Sequence, residues 1–299
     1  MQRTSGFVRL FSFALLLLLV GALSACGSSP SGSTATATPA PKVTINVFAA
    51  ASLNSVFAQI GKQFDQAHPG NTTVFNFAGS QALAQQISQG APADVFASAN
   101  QTQMNVVVMA GDVDASSSKV FVHNLLTVVL APNNPGQVMT LQDLAKPGLK
   151  LDLAAKTVPA GQYALDFLSK ASADPSFGSD YQKNVLNNVL SYETDVESVL
   201  TKVSLGEADA GIVYDSDAAS TTGKTLGKLA IPTNLQTEAN YPIAPIKGSK
   251  NAARAQQFID YVFSSAGQAA LGQFGFIPLN ASTSLIAPAW ADTRSSCNV

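Results

Sequence analysis

Four points in the sequence place small neutral residues where a helix is expected to begin. Ser52 lies in Ala51-Ser52-Leu53, behind an apolar strand-like run and ahead of an amphipathic one. Ser80 lies in Gly79-Ser80-Gln81, after a second strand-like run. Val158-Pro159-Ala160-Gly161 puts proline in a first helical turn, which leaves the Ala160 N–H near the terminus. Thr194-Asp195-Val196-Glu197 fits the S/T-x-x-E/Q capping box, with Val196 inside the first turn. Each alone is what ordinary capping produces. Together they offer a different chemistry. The first four N–H groups of a helix lack intrahelical partners, and the macrodipole adds partial positive charge there. Several such ends meeting at one point bind an anion without lysine or arginine. The hydroxyls of Ser52, Ser80 and Tyr214 add further donors. A pocket of donors suits an anion with no proton left to give, because a protonated one would bury an O–H without an acceptor. The expected ligand is a fully ionised tetrahedral oxyanion.

Other chemistries find little support. Charged residues make up 12% of the 299, about half the share in an average soluble domain, and the formal charge is −2. That balance, with a pI near 5.6, excludes the basic face of a nucleic-acid binder. The two histidines, His68 and His123, read as a turn residue and a strand residue, and no cysteine pair has metal-ligand spacing. Gly223-Lys224-Thr225 resembles the end of a phosphate-binding loop, but Ala218 stands where its first glycine belongs. Asp215 and Asp217 have no His or Lys partner in sequence and read as helix-start residues. Asn71-Thr72-Thr73 is a chance sequon. No catalytic set is visible, and no cofactor is implied.

The elements that must position these residues alternate. Val43 to Phe48 alternates apolar and polar residues, as a strand does. Leu53, Val56, Phe57, Ile60, Phe64 and Ala67 then mark one face of a helix closed by His68-Pro69-Gly70. Strands are expected at Thr72 to Phe77, Asp94 to Ala97, and as one long run from Val120 to Leu130. Helices are expected at Gln81 to Ser88 and Gln101 to Ala110. The second half gives strands at Leu149 to Ala154, Ala210 to Tyr214 and Thr225 to Ile231. Its helices fall at Ala160 to Lys170, Tyr181 to Leu190, Glu197 to Leu205 and Asn251 to Ser264. This alternation predicts an α/β fold with mainly parallel sheets and helices on both faces. Composition alone leaves one barrel or two lobes open.

Residues 1–25 read as a processing segment. Arg3 and Arg9 precede an apolar run from Phe11 to Val20, too short for a stable span, and Leu23-Ser24-Ala25-Cys26 follows. The ending resembles the lipobox of bacterial lipoproteins, which implies acylation of Cys26. Removing the segment takes two arginines and no acids, so the formal charge falls from −2 to −4. Residues 26–42, rich in Ser, Thr, Ala, Gly and Pro, read as a disordered tether, and residues 280–299 as a loosely ordered tail.

Longer blocks carry a resemblance. They are Val47-Phe48-Ala49-Ala50-Ala51-Ser52-Leu53, Phe77-Ala78-Gly79-Ser80 leading into Leu83-Ala84-Gln85-Gln86-Ile87, and the run from Gly90 to Ala99. Val158-Pro159-Ala160-Gly161-Gln162-Tyr163-Ala164 and Gly211-Ile212-Val213-Tyr214-Asp215-Ser216-Asp217-Ala218 follow in order. From about Val43 to Pro278 the chain resembles the molybdate-binding proteins of bacterial ABC importers. The resemblance implies a two-lobed, hinged α/β fold of the periplasmic-binding-protein type II kind, closing on molybdate or tungstate. It carries ligand contacts onto Ser52, Ser80, the backbone N–H groups of Ala160 and Val196, and the Tyr214 hydroxyl. Gly79 departs from it, standing where relatives often have serine. It implies a first lobe of 43–122 plus 241–279 and a second of 123–240. It further implies a non-enzymatic monomer, lipid-anchored outside the cytoplasmic membrane, whose partners are an ABC permease and its ATPase. A sulfate binder, an α/β hydrolase using Ser52 or Ser80, and a surface interaction module are the competing readings.

Overall fold

The computed structural model describes residues 42–279. The expected signal segment, Cys26, most of the tether and the tail at 280–299 lie outside the described residues.

The order of elements is β1 (Val43–Ala50), α1 (Asn54–Ala67), β2 (Asn71–Ala78), α2 (Ser80–Ser88), β3 (Val95–Ala97) and α3 (Gln101–Met109). Then come β4 (Lys119–Asn124), β5 (Leu126–Leu130), β6 (Leu151–Ala154), α4 (Pro159–Ala173), α5 (Tyr181–Asn187), β7 (Val189–Glu193) and α6 (Val196–Ser204). The rest is β8 (Ala210–Tyr214), α7 (Asp215–Ala218), β9 (Gly227–Ala230), β10 (Ala239–Pro245), α8 (Ala252–Phe263), α9 (Ser265–Gln273) and β11 (Ile277–Pro278). Two sheets result, ordered β11-β4-β10-β3-β1-β2 and β7-β6-β8-β5-β9. The chain passes from the first sheet to the second at Leu125 and returns between Ala230 and Ala239.

The α/β, two-lobed architecture holds, but the sheets are mixed rather than mostly parallel. β1 pairs parallel with β2 and β3, and β6 parallel with β7 and β8. The strands next to the crossings, β4, β5 and β10, pair antiparallel with their neighbours. A strand that brings the chain back from the other lobe enters from the opposite end, which reverses its direction. The single long strand expected at Val120 to Leu130 is likewise two strands, one in each sheet. The break falls at Leu125, whose N–H is taken by the Asn124 side chain at 3.0 Å instead of a ladder partner.

One continuous apolar core runs through both lobes. Val56, Phe57, Ile60 and Phe64 of α1 are buried, as their spacing requires. Phe57 lies 5.8 Å, ring to ring, from both Phe121 and Phe258, so α1, β4 and α8 share one aromatic cluster. In the second lobe Leu151, Leu153, Phe167, Leu168, Val199 and Ile212 are buried between α4, α6 and the sheet. What matters for function is direction. In the first lobe β1 and β2 run in parallel into the starts of the Ala51–Leu53 turn and α2; in the second, β6, β7 and β8 run in parallel into α4, α6 and α7. In open α/β sheets the carboxyl ends of strands, where helices begin, form the binding crevice.

Candidate functional site

The five residues singled out in the sequence, Ser52, Ser80, Ala160, Val196 and Tyr214, line one small cavity. None of the residues lining it carries a charge. Ser52 and Ser80 come from the first lobe; Ala160, Val196 and Tyr214 come from the second.

Ser52 sits in a single 3-10 turn, Ala51–Leu53, that joins β1 to α1, and it is buried. Its Oγ lies 2.9 Å from the Tyr241 hydroxyl. Ser80 is the first residue of α2, behind Gly79 in extended conformation. Its Oγ accepts the Ala99 N–H at 3.0 Å, so its own hydrogen is left for another partner. The intrahelical ladder of α2 begins with Ala82 N–H donating to Gly79 O, so the Ser80 and Gln81 N–H groups precede it.

In α4, Pro159 occupies the first helical position and Gln162 N–H is the first to donate, to Val158 O at 3.0 Å. The Ala160 and Gly161 N–H groups therefore precede the ladder at the cavity side. A Cβ on Gly161 would overlap the Ala154 and Ala155 carbonyls, so glycine is what lets α4 start hard against the end of β6. In α6 the capping residue is Asp195, not Thr194. Asp195 has the extended backbone of a cap, and its Oδ1 accepts Ser198 N–H at 2.9 Å. The S/T-x-x-E pattern is thus displaced by one residue, and Val196 becomes the first helical residue, with its N–H ahead of the ladder.

Tyr214 ends β8 with 1% of its surface exposed. Its hydroxyl is buried and meets no hydrogen-bond partner among the described residues. Burial, joined by the neighbouring Tyr241, pushes this phenol well above its ordinary range, so it keeps its proton and can donate it. Behind it, Asp217 Oδ2 accepts the Tyr214 N–H at 2.9 Å. Burial first, and the Glu197 charge second, push the Asp217 carboxyl well above its usual range. Burial also pushes Glu197 up to about 7. These carboxyls therefore oppose an anion less than two full charges would.

The two lobes meet across the cavity through neutral groups. Gln81 Nε2 donates to Thr194 O at 2.8 Å, Asn100 Nδ2 to Gln162 Oε1 at 2.8 Å, and Gln103 Nε2 to Thr157 O at 3.4 Å. The Thr194 carbonyl lies so near Gly79 that a Cβ there would overlap it. The one departure from the expected pattern is thus the residue over which the second lobe closes. Sequence reasoning missed Tyr241, Asn124 and these bridging amides, because none belongs to a local motif. His68 Nδ1 pairs with Phe64 O and His123 Nδ1 with Asn240 Oδ1, both away from the cavity. Among the described residues no three His, Cys, Asp or Glu side chains group to hold a metal ion. Gly223–Thr225 is a short 3-10 turn that follows α7 rather than a strand.

A cleft between two α/β lobes, lined by helix starts and hydroxyls from both, defines a receptor for a small solute. The chain belongs to the bacterial extracellular solute-binding protein family, whose model matches residues 45–277. A molybdate-binding protein ModA from Mycobacterium tuberculosis is 40% identical over 260 residues, covering 87% of this chain and 94% of that one. A Bacillus subtilis protein named as an ABC transporter substrate-binding lipoprotein is 30% identical over 268 residues, 89% of this chain and 96% of the other. Among solved structures, the sulfate-binding protein SubI of M. tuberculosis matches with a TM-score of 0.71 at 20% identity, over 80% of this chain and 88% of that one. That last likeness is one of fold alone.

Proposed function

We propose that this protein captures molybdate or tungstate outside the cytoplasmic membrane and delivers it to an ABC permease driven by its ATPase. The observation that carries the reading is the Tyr214 hydroxyl, buried beside converging helix starts with no partner of its own among the described residues. A buried polar group left unpaired costs ~1–3 kcal/mol, which a ligand acceptor recovers. Ser52, Ser80, the Ala160 and Val196 N–H groups and Tyr214 are the ligand contacts, all donors. Donors from both sides reward closure, since each lobe gains its bonds only when the other arrives. We assign 43–122 with 241–279 to one lobe and 123–240 to the other.

Capture requires no catalysis. The partner of Ser52 is a tyrosine hydroxyl and that of Ser80 a backbone N–H, and neither can take a proton from a serine nucleophile. Acylation of Cys26 would hold a monomer to the membrane surface, and the lipoprotein name of the B. subtilis relative supports this.

The test is a thermal-shift titration with molybdate, tungstate, sulfate and phosphate. Ligand at ~100 times its dissociation constant adds ~2.7 kcal/mol to stability. Molybdate and tungstate are expected to raise the melting temperature at the lowest concentrations. A response to sulfate with none to molybdate or tungstate would overturn the reading.

A further inference from the structure

Behind Ser52 runs a buried hydrogen-bond chain whose first link has a fixed direction. Asn124, the last residue of β4 and fully buried, has its Oδ1 engaged by the Leu125 N–H at 3.0 Å. A backbone N–H can point only at an acceptor, so the amide orientation is forced and the Asn124 nitrogen faces the other way. That nitrogen donates to Ser216 Oγ at 2.8 Å and to the Tyr241 hydroxyl oxygen at 3.4 Å. Tyr241, fully buried in β10, lies 2.9 Å from Ser52 Oγ. Among the described residues Ser52 Oγ is the other hydrogen-bond partner of that hydroxyl, so the Tyr241 proton, which would otherwise be buried without an acceptor, is assigned to Ser52. Burial holds that phenol protonated, its pKa far above the ordinary value. Ser52 then accepts from Tyr241 and turns its own proton into the cavity.

We propose that Asn124 and Tyr241 are positioning residues that bias ligand specificity, by orienting Ser52 so that it turns its proton to the cavity and engages one of its two lone pairs with Tyr241. Without them the Ser52 hydroxyl is free to rotate and can accept a hydrogen bond as readily as give one. A serine that can accept offers a partner to the O–H of a protonated tetrahedral anion. The chain therefore disfavours hydrogen phosphate and its analogues relative to a fully ionised anion. Its members also span the crossing between lobes: Asn124 and Leu125 are the crossing itself, Ser216 belongs to the second lobe, and Tyr241 and Ser52 to the first. The inference rests on the cavity being the oxyanion site.

The experiment measures dissociation constants of molybdate and inorganic phosphate by calorimetry at pH 6.5 for wild type, Tyr241→Phe, Asn124→Ala and Ser80→Ala. Tyr241→Phe removes one oxygen and keeps the ring in its packing, so it carries the test if Asn124→Ala does not fold. Both variants are expected to lower the preference for molybdate over phosphate by ~10-fold or more, the order gained when a buried donor finds a partner. Ser80→Ala, which loses a donor outside the chain, is expected to weaken molybdate binding with no gain for phosphate. An unchanged preference in a folded Tyr241→Phe protein that still binds molybdate would overturn the inference and leave the function standing. Wild-type protein that binds neither molybdate nor tungstate would overturn the function itself.

Discussion

Replacing Tyr214 with phenylalanine separates a ligand-binding hydroxyl from a structural one, because the two roles carry opposite signs. The hydroxyl is buried and has no protein partner among the described residues, while its ring packs edge-on against Tyr163 and Tyr241 at 6.4 and 5.8 Å. Phenylalanine keeps that packing. Without ligand the variant loses no hydrogen bond and sheds a buried polar atom worth ~1–3 kcal/mol when unpaired. Its melting temperature is therefore expected to equal or exceed that of wild type, by ~2–4 °C per kcal/mol for a fold of this size. With ligand it loses a bond to a charged acceptor, worth ~1.5–3 kcal/mol. That is roughly 10- to 150-fold in affinity for molybdate. The assay is calorimetric titration paired with melting curves with and without molybdate. Unchanged affinity, or a ligand-free melting temperature several degrees below wild type, would refute the reasoning.

Three further expectations follow from the same geometry. Gly79→Ala places a methyl against the Thr194 carbonyl and disturbs the Gln81–Thr194 bond across the cleft. Loss of ~0.5–1.5 kcal/mol should weaken molybdate binding about 2- to 10-fold with the ligand-free melting temperature unmoved, and equal affinity would contradict the close approach. Burial, with the Glu193 charge adding, pushes Asp152 up to about 7, and burial with the Asp195 charge does the same for Glu197. Both folded values exceed the ordinary carboxylate range near ~4, so their contribution to stability is fully present below that range and is lost as pH rises through about 7. The melting temperature should be higher at pH 5.5 than at pH 8, and Asp152→Asn should shrink the difference; a lower value at pH 5.5 would contradict this. Cys26→Ala should move the protein from membrane to soluble fractions with molybdate affinity unchanged, and retention on membranes would sink the anchor.

The parts of this site that could be read from sequence are those encoded within a few residues. Ser52, Ser80 and Ala160 each follow a strand-like run and open a helix, and helix starts are set by local caps and proline. Val196 was found through a capping pattern that is off by one. Thr194 and Asp195 both have cap chemistry, and only the backbone angles of Asp195 decide between them. Tyr241 lay hidden for a different reason. It precedes Pro242 in a strand that also ends in Pro245, and prolines argue against a strand between two neighbours. The structure accommodates Pro242 at a register shift between Tyr241 and Pro242 in the β10–β4 pairing, which no single sequence announces. Likewise the helix expected at Tyr181 to Leu190 runs past the end of α5 into the first two residues of β7. The strand character of β7 comes from pairing with β6, a long-range contact. The scarcity of charge, first a reason for exclusion, matches a cavity whose walls carry none.

The most direct test of the central claim is a crystal structure of the protein soaked with tungstate, with data collected at the tungsten absorption edge. A single strong anomalous peak is expected in the cavity between the two lobes, within hydrogen-bonding reach of Ser52, Ser80, the Ala160 and Val196 N–H groups and the Tyr214 hydroxyl. An empty cavity at saturating tungstate, or a peak held elsewhere by lysine side chains, would contradict the account.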